Sequence, residues 1–407
     1  MSVPASRSRI ILGLFVLQNT PMSPFSSVSW LSRCLSAPGF PLALLGIWGL
    51  EAWLTRVRLG DLPDLPGPDP DPVLPPVALC IPVRDEEREL GPALDSWLGQ
   101  DYPSLRILAV DDGSTDRTPE ILARRADPRL RVLRVDPLPP GWLGKNYALH
   151  LASRQPEALE AEWLLFADAD AQAAPDLLRR AFAFLERCPA DLLTLLPALD
   201  TVGWTERVFL PVANLFFLWL VPLRRVPDPR SRVACGVGGF ILVRRRAYQA
   251  AGGHEGAPMA AVDDMGLAYR VKAAGCVNRV ALGGPHLHLR MYHGPLEIVR
   301  GLRKNLLALP WTFPLAPVLA AAAVLATFGC VLAALGGHPG AGLLLWLLVP
   351  PLLGEAHQRF TGRPVDLAWA FWPLSGALVL AGLLPAFWDR LRGVNRWRGR
   401  DVPIRKP

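Results

Sequence analysis

The chain has 407 residues, of which 51% are hydrophobic and only 19% charged, and its mean hydropathy of +0.25 argues against an ordinary soluble enzyme. Its six cysteines, at 34, 80, 188, 235, 276 and 330, form no C-x-x-C pair, so neither a zinc knuckle nor a disulfide framework is indicated and a reducing compartment fits. The formal charge of +7 is concentrated from Asp389 to Pro407, which holds Arg390, Arg392, Arg396, Arg398, Arg400, Arg405 and Lys406. Because this tail follows an apolar stretch, it points to lipid headgroups or the positive-inside rule ahead of nucleic acid.

In chain order, the run Ile10 to Leu17 is too short to span a bilayer, whereas Pro38 to Leu54, followed by Arg56 and Arg58, suits a membrane anchor with its C-terminal end in the cytosol. A signal peptide fits less well, since the stretch lies far from Met1 and no small-residue cleavage pattern follows. Residues 60–76 are so rich in Pro and Asp that they read as an extended linker.

From Val77 the pattern alternates. Val77–Ile81, Leu105–Val110, Arg131–Val135 and Trp163–Ala167 read as strands, with helices over Glu87–Gln100, after Thr118 and after Lys145. This βαβ succession predicts an α/β fold with a doubly wound, mostly parallel sheet, whose ligands bind beyond the carboxyl ends of the strands. The apolar run Phe209 to Val221, with Pro211 inside it, reads either as an interfacial helix or as ordinary core. Three apolar segments close the chain: Leu309–Leu335 and Ala341–Leu353, joined by GGHPG with His338, and then Leu367–Phe387. With the anchor placing residues 77–308 inside, three full crossings would leave the basic tail outside. The middle segment, broken by Pro350 and Pro351, is therefore the candidate re-entrant one. The expected divisions are 1–59, 60–76, a catalytic domain at 77–308, membrane helices at 309–388, and a tail at 389–407.

Acidic residues gather at the predicted strand ends. Asp168 and Asp170 offer hard oxygen ligands on one turn, and the next helix has its own start signal in Pro175 and Asp176, which leaves those acids free for a cation and a diphosphate. Asp111 and Asp112 begin a D-D-G-S-T turn on the same sheet edge, where a carboxylate can accept hydrogen bonds from a base or ribose. Pro82, Arg84, Asp85 and Glu86 follow the first strand. Asp263 and Asp264 open a helix that stops at Gly275; N-capping accounts for one acid, and Asp264 is the candidate general base for a single, inverting displacement.

Together VALCIPVRDEE (77–87), LAVDDGSTDRT (108–118), PPGWLGKNYAL (139–149), FADAD (166–170), CGVGGFILVRRRAYQAAGG (235–253) and VDDMGLAYRVKAAG (262–275) resemble the family 2 glycosyltransferases of the GT-A fold. The resemblance implies a base pocket lined by Pro82, Arg84 and Glu86 and a nucleoside contact from Asp111 and Asp112. It also implies a divalent metal, Mg²⁺ or Mn²⁺, with the sugar diphosphate at Asp168 and Asp170, and a base at Asp264. Gly238, Gly239 and Asp263 are expected on the acceptor side. The late acidic pair is usually Glu-Asp in the family, so Asp263 reaches less far. Arg84 and Asp85 likewise depart from the usual aromatic or small residue and Asn.

GWLGKN and RMYHGPLEIVRGLRKNL (290–306) look like the membrane-bound subgroup associated with carotenoid and hopanoid pathways, and no Q-x-x-R-W signature of processive synthases follows Asp264. The implied partners are a nucleotide sugar, a lipid acceptor and the cell membrane, crossed more than once, with the catalytic domain cytoplasmic and no nucleic acid. Lys145 and Lys304 are candidates to meet phosphate. One of His286, His288 and His293 could complete the metal site, although alternating histidines more often mark a polar strand face. Transfer to a polyprenyl phosphate, which needs no base, stays open, as do a nucleotidyltransferase and a non-catalytic nucleotide-sugar-sensing subunit of an export complex.

Overall fold

The computed structural model describes residues 33–60, 62–70, 74–308, 316–361, 366–393, 396–397 and 400–401. The run Ile10 to Leu17 and the last six residues of the basic tail lie outside these.

The four expected strands form with small shifts in their ends: β1 (Val77–Val83), β2 (Leu105–Asp111), β3 (Leu130–Arg134) and β4 (Trp163–Phe166). They pair in parallel in the order β3-β2-β1-β4. Beyond β4 the sheet departs from the expectation. It continues through β7 (Ile241–Arg244), β6 (Leu192–Leu199), β8 (Asn278–Leu289) and the short β5 (Gln172–Ala173), with β7 antiparallel to both neighbours and β5 antiparallel to β8. The sheet is therefore mixed in its second half. A long connection that contains the helix Trp204–Leu220 leads from β6 into β7, so neither connection length nor periodicity could assign the direction of β7.

Helices cover both faces. α1 (Leu90–Leu98) and the helix Leu177–Arg187 bury Leu90, Leu94, Trp97, Leu178 and Phe182 on one side. On the other, α2 (Gly144–Ser153) and α3 (Asp263–Ala273) bury Ala148, Leu149, Leu267 and Val271 against Cys80, Val110 and Phe166. The end of α1 and the turn after it also reach across the fold. Trp97 Nε1 donates to Ala171 O (2.9 Å), Ser96 Oγ accepts from Ala173 N (3.0 Å) and Gln100 Nε2 donates to Ala174 O (2.6 Å). These bonds hold the segment just after Asp168 and Asp170, whose own backbone pairs little with the sheet.

The Pro-rich stretch is extended as expected, but part of it is docked. Leu282 N donates to Pro63 O (2.9 Å), Asp64 bridges Leu282, and Leu62 is buried. The apolar run near residue 209 lies in α4 (Trp204–Leu220), which buries Val208, Phe209 and Leu210 and leaves Trp204 exposed. Its entry is fixed by Glu206, whose carboxylate accepts from Val202 N (2.9 Å) and Gly203 N (3.1 Å) and pairs with Arg290 (3.2 Å).

The flanking segments bundle together, and two expectations are corrected. The proposed anchor forms as α5 (Gly39–Gly60), but it carries Glu51, hydrogen-bonded to Thr55 at 2.8 Å, as well as Arg56 and Arg58. Among the described residues the one helix both long and apolar enough to cross a membrane is instead α6 (Leu374–Arg392). Nor do Pro350 and Pro351 break the middle segment: α7 (Pro339–Thr361) runs 23 residues through both and packs on α8 (Ala316–Leu335). An amphipathic helix, α9 (Pro295–Ala308), joins the bundle to the sheet through buried Ile298 and through Leu302, which packs on Gly382.

Candidate active site

The ends of β1 and β2 place two acidic loops side by side, and their hydrogen bonds are reciprocal. Asp85 N donates to Ser114 Oγ (3.0 Å), Thr115 N to Asp85 Oδ1 (2.8 Å), and Glu86 N to Thr118 Oγ1 (2.8 Å). Asp85 holds a left-handed backbone (φ 52°), a conformation that Asp and Asn tolerate better than other side chains, so it can stand where the family uses Asn. Asp111 Oδ1 accepts from Ser114 N (2.8 Å), which closes the D-D-G turn over Gly113 (φ 69°). Arg84 Nη1 bonds both the carbonyl (3.1 Å) and the carboxylate (3.2 Å) of Asp112. Asp111 and Asp112 are thus buried, the first engaged by its own turn and the second by Arg84 of the neighbouring loop.

At the end of β4, Asp168 N donates to Gly238 O (2.8 Å), and Gly238 N in turn donates to Asp264 Oδ2 (3.0 Å) at the start of α3. One glycine therefore stands between the two acidic turns. A Cβ on Gly238 would strike the Asp168 carboxylate, and one on Gly236 the backbone of Asp264. Gly239 instead backs onto Leu289 and Pro197, on the core side. Lys145, near the start of α2, spans the same gap, with Nζ 2.7 Å from Asp168 Oδ1 and 3.3 Å from Asp263 Oδ1.

These groups share one cavity, lined by Pro82, Lys145, Asp168, Gly238, Asp263, Asp264 and His254 over an apolar floor of Leu149, Phe166, Ile241 and Leu267. Asp170 and Glu86 stand close enough for their charges to matter. Burial, then Asp168 and Glu86, hold the Asp170 carboxyl well above the usual carboxylate range. Burial and the adjacent Asp263 raise Asp264 to about 6. Burial works against the Lys145 charge, but Asp168, Asp263 and Asp264 outweigh it and push its pKa well up. From α9, Lys304 enters the same field: burial and then Lys145 lower its pKa, against the three aspartates. The candidates Pro82, Lys145, Asp168, Gly238, Asp263 and Asp264 are brought together, with Asp170 and Glu86 beside them. Arg84, Asp111 and Asp112 form the adjoining loop pair, and Gly239 lies behind.

Two further residues, Asn146 within the GWLGKN stretch and His254 just beyond the 235–253 motif, join the site without a spacing that marks them. Asn146 is buried, and its Nδ2 donates to Ala257 O (3.2 Å), Pro258 O (2.9 Å) and Ala260 O (3.0 Å), which ties α2 to the loop leading into α3. His254, buried on the cavity wall, has Nδ1 2.9 Å from Tyr248 Oη. That hydroxyl also accepts from His254 N (3.1 Å) and donates to Ser153 Oγ (3.1 Å), whose own proton goes to His150 O (2.8 Å). The network closes with the proton on Nδ1, leaving Nε2 a bare acceptor. Burial, with Arg270 and Lys145 nearby, lowers the His254 pKa to about 3, so the ring is neutral at physiological pH.

Each late histidine is paired with a carboxylate: His286 with Asp176 (3.3 Å), His288 with Asp200 (2.9 Å) and His293 with Glu89 (2.6 Å). Among the described residues no three His, Cys, Asp or Glu side chains group at metal-ligand spacing. The acids at hand nonetheless suit a hard cation. Asp168 and Asp170 present oxygens only, their mutual repulsion is what a cation would relieve, and such ions are commonly held by one or two carboxylates with substrate phosphates completing the shell.

Residues 78–251 match the family model described as Glycosyl transferase family 2. The chain carries a family 2 glycosyltransferase domain. Over 148 residues the chain is 35% identical to a beta-monoglucosyldiacylglycerol synthase of Synechocystis, a match covering 35% of this chain and 30% of the relative. It is 26% identical over 352 residues to a 4,4'-diaponeurosporenoate glycosyltransferase of Staphylococcus aureus, covering 81% of this chain and 89% of that one. The chain thus spans less than half the length of the synthases of Synechocystis (30%) and Nostoc (41%). Its fold is similar to that of the mannosyltransferase PcManGT of Pyrobaculum calidifontis, solved in complex with GDP-Man and Mn²⁺, with a TM-score of 0.51 and 18% identity over 89% of this chain and 99% of that one.

Proposed function

We propose that this glycosyltransferase moves one sugar from a nucleotide sugar to the hydroxyl of a membrane lipid, with inversion and without chain elongation. The observation that carries the reading is the meeting of Asp168, Asp263, Asp264 and Lys145, from three separate elements, in one cleft. Asp168 and Asp170 would hold Mg²⁺ or Mn²⁺, which when bound neutralises charge on the diphosphate leaving group. Asp264 is suited to take the acceptor's proton: a carboxylate raised to about 6 is mostly ionised at neutral pH yet more basic than an exposed one. The neutral His254 lines the same cavity with a ring nitrogen left to accept a hydrogen bond, and the cavity's apolar floor disfavours water.

A lipid acceptor is supported by two of the named relatives, a glucosyldiacylglycerol synthase and a diaponeurosporenoate glycosyltransferase, and by the helical bundle. The outer faces of that bundle expose Leu42 (69%), Trp53 (59%), Leu347 (56%) and Leu384 (63%), a surface suited to hydrocarbon. The bundle is thus read as embedded in the membrane, with the cleft on its cytoplasmic side.

The test incubates membranes containing the protein with a panel of nucleotide sugars and Mg²⁺ or Mn²⁺, followed by mass analysis of the extracted lipids and of the released nucleotide. A lipid heavier by one hexose or hexosamine, with nucleoside diphosphate released, is expected. Release of pyrophosphate would mark nucleotidyl transfer instead. Activity of an Asp264→Asn variant confined to polyprenyl phosphate acceptors would favour that acceptor class, whose oxygen is already anionic.

A further inference from the structure

The root of Lys145 is fixed while its head is not. Leu143 N donates to Pro258 O (3.0 Å) and Asn146 makes its three bonds on either side of the same short turn, so the backbone at Lys145 is pinned to the loop before α3. The side chain itself is a flexible four-carbon stem, 36% exposed, whose ammonium bridges Asp168 and Asp263. A divalent cation on Asp168 needs direct contact with a carboxylate oxygen, and a positive ammonium already occupies Oδ1 of that carboxylate. Like charges that close repel strongly in a partly buried cleft. A diphosphate, by contrast, brings negative charge that a lysine can follow.

We propose that Lys145 is a place-holding cation, which pairs with Asp168 and Asp263 until metal and donor bind together and then transfers its ammonium to the donor's diphosphate. The inference rests on the metal-dependent reading above. It makes the two ligands cooperative. Metal alone must displace the ammonium from Asp168 and leave it only Asp263, close beside the bound cation, whereas a nucleoside diphosphate gives the displaced ammonium a second anionic partner. Linkage then requires each ligand to tighten the other by the same factor.

The test follows free Mn²⁺ by electron paramagnetic resonance during titration of the detergent-solubilised full-length protein, with and without UDP or GDP. For the wild type, the nucleotide it accepts should tighten Mn²⁺ binding at least about tenfold. In Lys145→Met and Lys145→Gln, Mn²⁺ binding without nucleotide should itself tighten at least about tenfold while the cooperativity shrinks. Lys145→Arg, which keeps the charge, should stay close to wild type. Neutral variants that bind Mn²⁺ alone no better than wild type would overturn the inference while leaving the metal reading intact. So would a wild type lacking cooperativity, even if the neutral variants fail to fold. Failure of every protein to bind Mn²⁺ under all conditions would remove the metal reading, and the inference with it.

Discussion

Gly238 and Gly239 are neighbours with different jobs. A methyl group on Gly238 meets the Asp168 carboxylate, while one on Gly239 meets Leu289 and Pro197. Gly238→Ala should displace the acid and the N–H that holds Asp264, and displacements of this size cost roughly a hundredfold in turnover. Gly239→Ala should act on packing, costing about 1–3 kcal/mol of stability with turnover little changed in the protein that remains folded. Steady-state kinetics beside thermal unfolding of the two variants checks the contrast, which fails if both lose the same property. Asp264 carries a prediction of its own. As a base it must be ionised, so kcat/KM for the hydroxyl acceptor should fall as pH drops through about 6, and this acid limb should disappear in Asp264→Asn, whose turnover should be lower by about 10² to 10⁴. The acids themselves were legible in the sequence, because parallel strands open their ends onto one edge and short motifs marked those ends. Asn146 and His254 were not, since their partners lie in a distant loop or in a three-residue network that no spacing reveals.

At the scale of elements, α2 and the loop before α3 behave as one piece, and a single amide joins them. Asn146→Ala would leave three carbonyls without their shared donor, a loss of about 1–3 kcal/mol for a buried group. Asn146→Asp has the right shape but sets a carboxylate against those same oxygens, so it should be worse than alanine. Stability should therefore fall in the order wild type, alanine, aspartate, with donor affinity following because Lys145 and Asp263 lose their common support. Denaturant midpoints and nucleotide binding measure both, and an aspartate variant equal to wild type would break the argument. The strands β1 to β4 were legible because each is a short apolar run ended by turn residues. The reversed β7 and the docked Pro63–Asp64 stretch were not, because both depend on which edge of a sheet is free, a property of the assembled fold. The prolines of α7 misled for a related reason. Neighbouring helices support a proline-bearing helix that would be weak alone.

At the scale of the whole molecule, the path of the chain fixes where the basic stretch begins, at Arg390 and Arg392. Two structural markers sit at one end of the bundle, where His338 Nε2 meets Ser36 O (2.9 Å) and so joins the start of α5 to the α8–α7 turn. α5 and α7 both run from there toward the sheet. Asp366, after α7, reaches the sheet side by pairing with Arg207 at 3.2 Å. The chain then turns back inward: Trp369 meets His357 (5.0 Å between rings), Ala370 O accepts from Trp346 Nε1 (2.8 Å), and Trp372 packs on Trp48 (5.3 Å). Gly376 sits against Thr327, midway along α8, and α6 returns toward the sheet until Asp389 pairs with Arg303 of α9. The segment 366–392 therefore leaves and returns to the sheet side, because α6, although long and apolar enough to cross a membrane, starts partway along α8. Were the bundle embedded as proposed, this path would keep Arg390 and Arg392 on the side of the catalytic cleft, in line with the positive-inside rule. Single cysteines at His338 and at Gly393, in a background with the six native cysteines replaced, should react with a membrane-impermeant maleimide from opposite faces of sealed vesicles. In intact cells the label should reach position 338, and in inverted vesicles position 393. Labelling of both from one face would mean either that the bundle does not cross or that α6 passes through completely, and a protein stripped from the membrane by alkaline carbonate would separate those two outcomes.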